Sequence, residues 1–576
     1  MIRKLTIRIL YILLFMGNLS AQAAEEVAHE HGGDRYVINV AALNPDRQMT
    51  LMDVLQTCPE LLSENGKRLN SDYEIRVDNV ALLLDDATVL EALKACEIST
   101  IEIYLYTSVA VGGTARGGII DIYMKKPEGE TTSGKVLLEG STSGCGKAYA
   151  DILTRKGNVT VRGYALTNQE YTRGTLTNQE RFTSRQGVEN LHLNIDWDIS
   201  DRDNLKIKLS QNFLDSKLRM QTDDAESLPE LLRNWNGVAS YKRTLNDQGA
   251  TLLVEGGANY QNASVSDVRI QDCLAYYFTE ASIPLFNDLS VLVGWEIDYD
   301  NLWTADLDRQ QMMFNDFYMQ FDYRKGPWLL TIGDRFRIVN YWHRSYTGVD
   351  ASLWSNSRCE HSYLASVGYR QGRHFLQALF NSDYSTPLID YLYAGYDAEH
   401  QRNIYTTDFK THKVYSAEAR YSYQQPRLVV SASAFHSSTA NGLWYDSRQT
   451  GVKASATWHN DWFRLTAGAD YCHEHASGDD LDVSNDNYFH LRLLPTLQLP
   501  YGLRLSTKLL YNSRRRIFYE IPSHLCTSLK VSKELGRHCT LSAEFHDLTG
   551  SSCLGYSQMG STYDNREASV GLCWFW

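Results

Sequence analysis

Residues 191–199 read L-H-L-N-I-D-W-D-I, and this stretch decides the fold. Apolar and polar residues alternate through it, Leu191, Leu193, Ile195, Trp197 and Ile199 against His192, Asn194, Asp196 and Asp198. Because successive side chains of a β-strand point to opposite faces, the pattern predicts a strand with one apolar and one polar face. Such a strand lies between an apolar environment and a wet one.

The same period of two recurs from about residue 134 onward. It is clear in residues 289–299, where Leu292 is the one exception, and in residues 451–459. In residues 503–511, Leu503, Leu505 and Leu509 alternate with Arg504, Ser506 and Lys508. One kind of strand is therefore repeated along most of the chain.

A soluble β-sandwich would also show alternating strands, but three features favour a membrane barrel. Most of the predicted strands run for about nine to thirteen residues, which is enough to cross lipid at a tilt and longer than the usual five or six. Aromatic residues stand at the ends of the apolar faces, as in the girdles of membrane barrels. The clearest apolar faces carry no charge, which would cost about 2–4 kcal/mol for a basic residue at mid-bilayer.

The lengths of the connections support the same architecture. Tight turns such as Lys156-Gly157 and Asn460-Asp461 alternate with long polar segments such as residues 170–189 and 338–358. Residues 142–146 are a short exception. Membrane barrels have short periplasmic turns and longer external loops. We therefore predict an all-β transmembrane barrel of about 22 antiparallel strands over residues 133–576, with both ends of the barrel on the periplasmic side.

The last strand resembles the terminal signal that the bacterial barrel-assembly machinery reads. Residues 569–576 read S-V-G-L-C-W-F-W, with Gly571 two positions after a polar residue and with spaced aromatics at Trp574 and Trp576. The alternative is an ordinary edge strand with a chance tryptophan. The resemblance implies that the assembly machinery is a partner.

Residues 1–24 are predicted to be an export signal. Arg3, Lys4 and Arg8 precede the short apolar core of residues 9–16, and Ala21-Gln22-Ala23 offers a cleavage site. The core is too short to span a bilayer as a helix, although a retained anchor is the alternative. We expect a flexible segment at residues 25–35 and insertion into the outer membrane of a Gram-negative cell, with its lipid as a partner.

Residues 36–132 have a different pattern. Residues 49–56 predict a short capped helix that ends before Pro59, and residues 73–80 and 98–104 predict strands. A glycine-rich loop containing Gly112, Gly113, Gly117 and Gly118 leads into a last strand with Asp121. The glycines suit close backbone packing, where any side chain would clash.

This order of elements resembles the plug domain of TonB-dependent receptors. The matching motifs are Asp53-Val54-Leu55 with Pro59, Ile101-Glu102-Ile103, and Gly117 to Ile122 with Lys125. A barrel of about 22 strands has a lumen wide enough to need a plug. The resemblance therefore implies a small α+β plug domain at residues 36–132, inside the lumen.

The resemblance also implies a transporter, in which the inner-membrane protein TonB pulls an N-terminal segment after a ligand binds outside. The sequence departs from the family in its short plug and in Arg76-Val77-Asp78-Asn79, which lacks the usual glycine. Our candidate for the TonB contact is Tyr36, Val37, Ile38, Asn39 and Val40, an extended stretch that could add to a partner's sheet edge. The alternative is that this stretch is the first strand of the plug.

Composition and residue spacing also bear on nucleic-acid binding, disulfide bonds and enzyme activity. The net charge of −13 disfavours a nucleic-acid partner, because phosphates are bound by clustered Lys and Arg. Of the ten cysteines, Cys58 could pair with Cys96 and Cys526 with Cys539, although free thiols are the preferred interpretation. No residue spacing singles out a nucleophile and its base, so we expect no enzyme activity.

Aromatic residues in the longer segments between strands are candidates for ligand contacts. We name Trp303, Trp342, Trp354 and Trp444 as candidates, with the aromatic girdle or packing between loops as the preferred alternative. Asp479, Asp480, Asp482 and Asp486 lack the spacing of a calcium loop, and we expect neither a metal nor a cofactor. Three hypotheses remain: a TonB-coupled importer, a plugged barrel that binds or scaffolds a partner such as a surface lipoprotein, and a passive porin.

Overall fold

The structure is a computed structural model. It describes residues 29–31, 35–40, 43, 48–55, 58, 61, 73–78, 80–81, 90, 93–104, 118–175, 181–220, 228–265, 268–304, 309–344, 353–385, 393–397, 402–405, 412–440, 446–478, 481–516, 520–549, 553–555, 561–563 and 566–576. The predicted export signal at residues 1–24 lies outside the described residues. In the described part of the chain no helix is long and apolar enough to cross a membrane.

A six-stranded sheet forms the N-terminal part of the described chain. Its strands are β1 (His29–His31), β2 (Tyr36–Asn39), β3 (Tyr73–Val77), β4 (Val80–Ala81), β5 (Ile98–Tyr104) and β6 (Gly118–Met124). Their order across the sheet is β1-β2-β5-β6-β3-β4, and only β3 and β6 pair in parallel. The strands predicted at residues 73–80, at 98–104 and after the glycine-rich loop are thus present.

The predicted capped helix is also present, as α1 (Leu51–Leu55). Thr50 and Asp53 cap it reciprocally: the Thr50 backbone N–H donates to Asp53 Oδ2 at 2.9 Å, and the Asp53 N–H donates to Thr50 Oγ1 at 3.2 Å. Satisfying these N–H groups lets a helix this short form. Leu51, Val54 and Leu55 are fully buried in the apolar core of the sheet.

The rest of the chain consists of strands joined mostly by tight turns and longer loops. They are β7 (Thr131–Ser141), β8 (Gly146–Lys156), β9 (Val159–Thr175), β10 (Arg181–Asp198), β11 (Asp203–Met220), β12 (Leu228–Thr244), β13 (Thr251–Val265), β14 (Val268–Phe286), β15 (Leu289–Thr304), β16 (Arg309–Lys325), β17 (Trp328–Arg344), β18 (Leu353–Gln371), β19 (His374–Ser385), β20 (Tyr393–Asp397), β21 (Arg402–Tyr405), β22 (His412–Gln425), β23 (Leu428–Ala440), β24 (Asp446–His459), β25 (Phe463–Gly478), β26 (Leu481–Leu499), β27 (Leu503–Asn512), β28 (Arg515–Arg516), β29 (Glu520–Ile521), β30 (His524–Glu534), β31 (Cys539–His546), β32 (Cys553–Gly555), β33 (Ser561–Tyr563) and β34 (Glu567–Phe575).

Within the described ranges these strands close into a barrel of 22 antiparallel strands. The short pairs β20–β21, β28–β29 and β32–β33 are hairpins in the loops between wall strands. Strand β34 pairs with β31 on one side and with β7 on the other, which closes the wall. The predicted fold class and strand number are confirmed.

Side chains alternate across the wall as the sequence predicts. Outward residues such as Leu191 and Leu209 are 56% and 51% exposed, whereas inward Lys208 and Asn212 are 2% and 7% exposed. Strands extend beyond their predicted ends on the long-loop side: β10 begins at Arg181, although the alternation is clear only from about residue 190. Beyond the apolar belt both faces are wet, so hydrogen bonding continues after the hydrophobic pattern has ended.

The cysteines follow the preferred free-thiol interpretation at three of the four positions considered. Cys58, Cys96 and Cys539 are free thiols, so neither suggested pair forms. Cys526 is disulfide-bonded, with a partner other than Cys539. A free thiol at Cys526 was therefore the wrong expectation.

Aromatic rings lie over glycines at several places on the wall. At Gly294 in β15, an added Cβ would lie 2.0 Å from the ring of Tyr318 in β16, whose hydroxyl donates to Glu280 at 2.9 Å. The glycine thus makes room for an inward aromatic side chain that links neighbouring strands. Gly140 in β7 is the opposite case, because an added Cβ there would meet nothing within 4 Å.

We expect Gly294→Val to displace Tyr318 and destabilise the barrel by roughly 1–3 kcal/mol, the usual cost of overpacking. The measurement is the temperature at which the folded band disappears in heat-modifiability gels of the refolded protein. Gly140→Val is the matched control and should leave that temperature nearly unchanged. Equal effects of the two substitutions would contradict the packing argument.

Candidate functional site

The candidate site is the contact between the N-terminal sheet and the inner wall of the barrel. Lys208 in β11 donates to the carbonyl oxygen of Asp78, at the end of β3. Across the lumen, Arg464 in β25 donates to the carbonyl oxygen of Leu43 at 3.3 Å. Since inward residues from distant parts of the wall reach the same sheet, the sheet lies within the lumen.

Glu97 is the centre of the densest polar contact. It ends a short 3-10 turn (Ala95–Glu97) just before β5. Its carboxylate lies 2.6 Å from Lys135 Nζ in β7 and 3.3 Å from Arg162 Nη2 in β9. Asp151 in β8 accepts from Arg162 at 3.2 Å and from the Tyr149 hydroxyl at 3.3 Å. Two carboxylates and two cations therefore link the N-terminal sheet to β7, β8 and β9.

This arrangement keeps Glu97 ionised. Burial by itself would raise the pKa of Glu97, but the adjacent Lys135 and Arg162 cations outweigh burial and hold it below its ordinary value. Lys135 is 1% exposed, so its ammonium depends on the acids around it for stabilisation. Losing Glu97 would leave a buried cation with fewer partners.

A second ion pair joins α1 to the last third of the wall. Asp53 Oδ2 lies 3.5 Å from Arg504 Nη2 in β27. Burial would raise the pKa of Asp53, but Arg504, Lys530 and the Thr50 N–H stabilise the carboxylate and lower the pKa to about 2. Asp53 therefore caps its helix and anchors it to the barrel with the same carboxylate.

The segment between β6 and β7 is tied to the lower wall. Lys126 Nζ lies 3.1 Å from Asp196 and 2.9 Å from Asp198, both inward residues of β10. Arg155 in β8 donates to the carbonyl oxygen of Pro127 at 2.9 Å. These contacts fix the point at which the chain passes from the sheet into the wall.

We expect Asp53→Asn to loosen α1 by roughly 1–3 kcal/mol, because the amide keeps the cap but removes the charge that faces Arg504. The measurement is hydrogen–deuterium exchange of residues 51–55 in the refolded full-length chain. Ser282→Ala in β14, on the opposite side of the barrel from β27, is the control. Unchanged protection in Asp53→Asn would show that the ion pair contributes nothing.

The pH dependence of exchange protection in α1 provides a second check on the Asp53–Arg504 ion pair. Because the pKa of Asp53 is lowered in the folded chain, the ion pair is fully stabilising above about pH 4 and is lost as the pH falls toward 2. Protection of α1 should therefore decline over this window in the unsubstituted chain. The part of that decline due to Asp53 should be absent in Asp53→Asn.

The predicted TonB contact lies within the sheet. Strand β2 pairs with β1 on one edge and with β5 on the other, and Ile38 and Val40 are fully buried. Residues 36–39 thus form a strand of the N-terminal sheet, and Val40 follows it directly, which is the alternative considered for this stretch. A partner could add a strand there only after β1 leaves.

Other predicted residues are placed in different parts of the fold. Gly118 has a φ of +122°, in the region that favours glycine, and Asp121 is buried in β6. Gly112, Gly113 and Gly117 lie outside the described residues. At the end of the chain, Trp574 and Trp576 face outward at 53% and 50% exposure. A Cβ at Gly571 would lie 2.9 Å from Ser542 Oγ.

The candidate tryptophans are not brought together. Trp303 lies on β15 with the same parity as outward Val293, and Arg309 is stacked over its ring at 5.4 Å. Trp342 has the parity of outward Ile332 on β17. Trp354 is in β18 and Trp444 lies outside the described residues. Both placed rings lie near the long-loop ends of their strands.

One concavity lies outside the wall and not in the lumen. A groove of about 670 Å³ crosses the outer face from β34 to β11, with the small residues Gly140, Ala148 and Gly187 along it. Among the described residues, no group of three or more His, Cys, Asp or Glu side chains could hold a metal ion.

The geometry can be compared with solved structures. The copper transporter OprC matches with a TM-score of 0.74 at 12% identity, covering 94% of this chain and 100% of that chain. The FrpB iron transporter from Neisseria meningitidis matches with a TM-score of 0.72 at 10% identity, covering 95% and 99%. The ferric yersiniabactin uptake receptor FyuA from Yersinia pestis gives 0.70 at 12% identity, covering 95% and 98%.

The chain has the fold of the TonB-dependent receptors. No protein-family model and no curated protein matches its sequence. The fold is that of Gram-negative outer-membrane receptors, and the full length of these receptors is covered. The proteins it resembles are transporters and receptors and not enzymes.

Sequence reasoning missed the residues that hold the plug of this receptor fold. Arg504 was recognised as part of a polar strand face, and Asp53 as part of a plug motif, but their pairing was not predicted. Lys135, Arg162 and Glu97 were not singled out. The signal that could have identified them is the presence of large charged residues on the inward faces of the strands. In a water-filled porin lumen a lysine would be exposed, so a buried lysine indicates that something fills the lumen.

Proposed function

We propose that this protein is an outer-membrane receptor that takes up a ligand from outside and releases it to the periplasm when TonB displaces the plug. The observation that carries the proposal is the set of polar contacts between the N-terminal sheet and the inner wall, with Glu97 between Lys135 and Arg162. A separate folded sheet in a closed barrel blocks the lumen, and transport requires that this block be removable.

The chemistry of the contact supports removal. Charged hydrogen bonds such as these exchange for water at a net cost of about 1.5–3 kcal/mol each. Separating an apolar interface of similar area would cost more free energy, because its surfaces form no hydrogen bonds to the water that replaces the contact. Much of the apolar surface of the sheet is buried in its own core, among Ile38, Ile101, Ile120 and Leu55. The interface with the wall also includes apolar residues such as Leu137 and Leu166, so displacement needs external work.

We propose that TonB engages the edge of the sheet at β1 and not the interior strand β2. Strand β1 is the last in the sheet order, so its outer edge can accept a strand from a partner. Pulling on β1 would uncover Tyr36 to Asn39 next, because β2 pairs directly with it. The original candidate at residues 36–40 then becomes the second segment to be released.

The ligand class that we propose is a metal chelate. OprC is named for copper and FyuA for ferric yersiniabactin, and both share this fold. The alternative ligand is a glycan. The candidate tryptophans that are placed face outward, so we propose that recognition depends on the loops and on the inner wall.

The second candidate function is a plugged barrel without energy coupling. One observation favours it: both edges of β2 are occupied, and the N-terminal sheet is tied to the wall through Lys126 and Arg155 as well as Glu97. A binding or scaffolding protein would have no need to move its plug. The two functions differ in their response to deletion of β1.

We expect deletion of residues 25–31 to abolish uptake while the protein still assembles and binds ligand at the surface. The measurement is accumulation of ⁵⁵Fe-labelled siderophores and of ⁶⁴Cu chelates in a strain that depends on this receptor. A Cys359→Ser strain, altered on the outer wall, is the matched control. Uptake that survives the deletion would support the uncoupled function.

The plug itself can be tested by conductance. We expect the intact chain to conduct little in planar bilayers, and Glu97→Gln to raise the frequency of channel openings several-fold because Lys135 loses its closest acid. Asp201→Asn, on the exposed turn between β10 and β11, is the control. Large, steady conductance from the intact chain would contradict a plugged lumen and favour a porin.

A further inference from the structure

An acid and an imidazole lie side by side on the outer face of the wall. Asp334 in β17 and His361 in β18 are 54% and 45% exposed, and His361 Nδ1 lies 3.6 Å from Asp334 Oδ1. Asp334 has the parity of Ile332, which is outward and 63% exposed. The pair therefore projects away from the lumen.

The height of the pair places it within the apolar belt. Trp328 and Tyr369 are register partners just above the tight turn between β16 and β17, and their rings lie 4.9 Å apart, as in a lower girdle. Asp334 follows Trp328 by six positions. With about 3.3 Å per residue and a strand tilt near 40°, it lies about 15 Å higher. A belt about 25 Å tall extends well past that height.

On three other strands, the residue six positions from an outward tryptophan is aliphatic. Leu191 is six positions from Trp197 in β10, Val452 is six from Trp458 in β24, and Val570 is six from Trp576 at the end of the chain. Their exposures are 56%, 53% and 58%. Asp334 thus occupies a position that other strands give to lipid-facing aliphatic side chains.

The pair is surrounded by apolar side chains that project outward from the wall. Asp334 lies between Met319 and Tyr363 in the neighbouring strands, and both are outward, at 44% and 46% exposure. The ring of Phe336 lies 4.9 Å from that of His361. Acyl chains can pack on such a surface but can neither donate to a carboxylate nor accept from an imidazole, so lipid leaves the pair only partly satisfied.

We propose that this face of the barrel is the interface of a homodimer in the membrane, with the Asp334–His361 pairs of two copies at its centre. A twofold axis brings the same patch of each copy together, so that residue i contacts j and residue j contacts i. A patch that carries one acceptor and one donor is complementary to itself under that operation. Each Asp334 then faces the His361 of the second copy, inside a ring of apolar side chains.

This inference is independent of transport, because the interface lies on the outer wall, away from the lumen and from β1. A different membrane protein with its own polar pair could also cover the patch, but it would have to supply the matching donor and acceptor at the same depth. A second copy supplies them by symmetry. The occupant is therefore assigned to a second copy, and a heteromeric partner is an outcome of the test.

Disulfide crosslinking in native outer membranes tests the proposal. Cys359 is an exposed free thiol on β18, two positions from His361 with the same outward parity. In a Cys359→Ser background, we expect Ile332→Cys to give a covalent dimer with copper phenanthroline. Val570→Cys is the matched control, since it has the same height and similar exposure on the opposite side of the barrel. It should give at least tenfold less dimer.

Mass measurements on the purified full chain in mild detergent provide the second arm. We expect a dimer by analytical ultracentrifugation, and at least a tenfold higher dimer dissociation constant in the variant Asp334→Leu with His361→Leu, which should still fold because aliphatic residues suit lipid. Restored dimer in the exchanged variant Asp334→His with His361→Asp would support the pairing. A monomer in native membranes and detergent, or Ile332→Cys crosslinked only to another protein, would overturn the proposal.

Discussion

The structure depends on the requirement that every backbone N–H and C=O group inside lipid be paired. A sheet can meet this requirement only by closing on itself, because an open edge would leave a row of unpaired groups. The pairing of β34 with both β31 and β7 completes that closure. Once the wall is closed, the alternation of side chains assigns each residue to lipid or to the lumen, and the polar lumen follows from it.

The polar inner face in turn determines how the N-terminal sheet is held. The wall offers inward charges such as Lys135 and Arg504, and the sheet meets them with Glu97 and Asp53. Buried charges need partners, so these contacts position the sheet with directional bonds. In the proposed transport cycle, they would also let water replace either partner when the sheet is displaced.

The outer face has to be apolar where it contacts lipid, so a polar residue on it needs a physical explanation. Lipid accepts aliphatic and aromatic side chains, so a polar pair on this face indicates something other than acyl chains in contact with it. The Asp334–His361 pair meets that description. The inner and outer faces thus suggest two separate activities, movement of the sheet within the lumen and association of barrels through the wall.

The sequence by itself determined the architecture, because period-two alternation, turn lengths and a terminal aromatic strand are local features that need no knowledge of contacts. It also identified Asp53 and Arg504 separately, one in a helix motif and the other on a polar strand face. Only the tertiary structure decided that they meet, that both edges of residues 36–40 are occupied, and that Trp303 and Trp342 face outward. These facts depend on strand register and closure across hundreds of residues, and a local pattern carries no information about which residue lies opposite another.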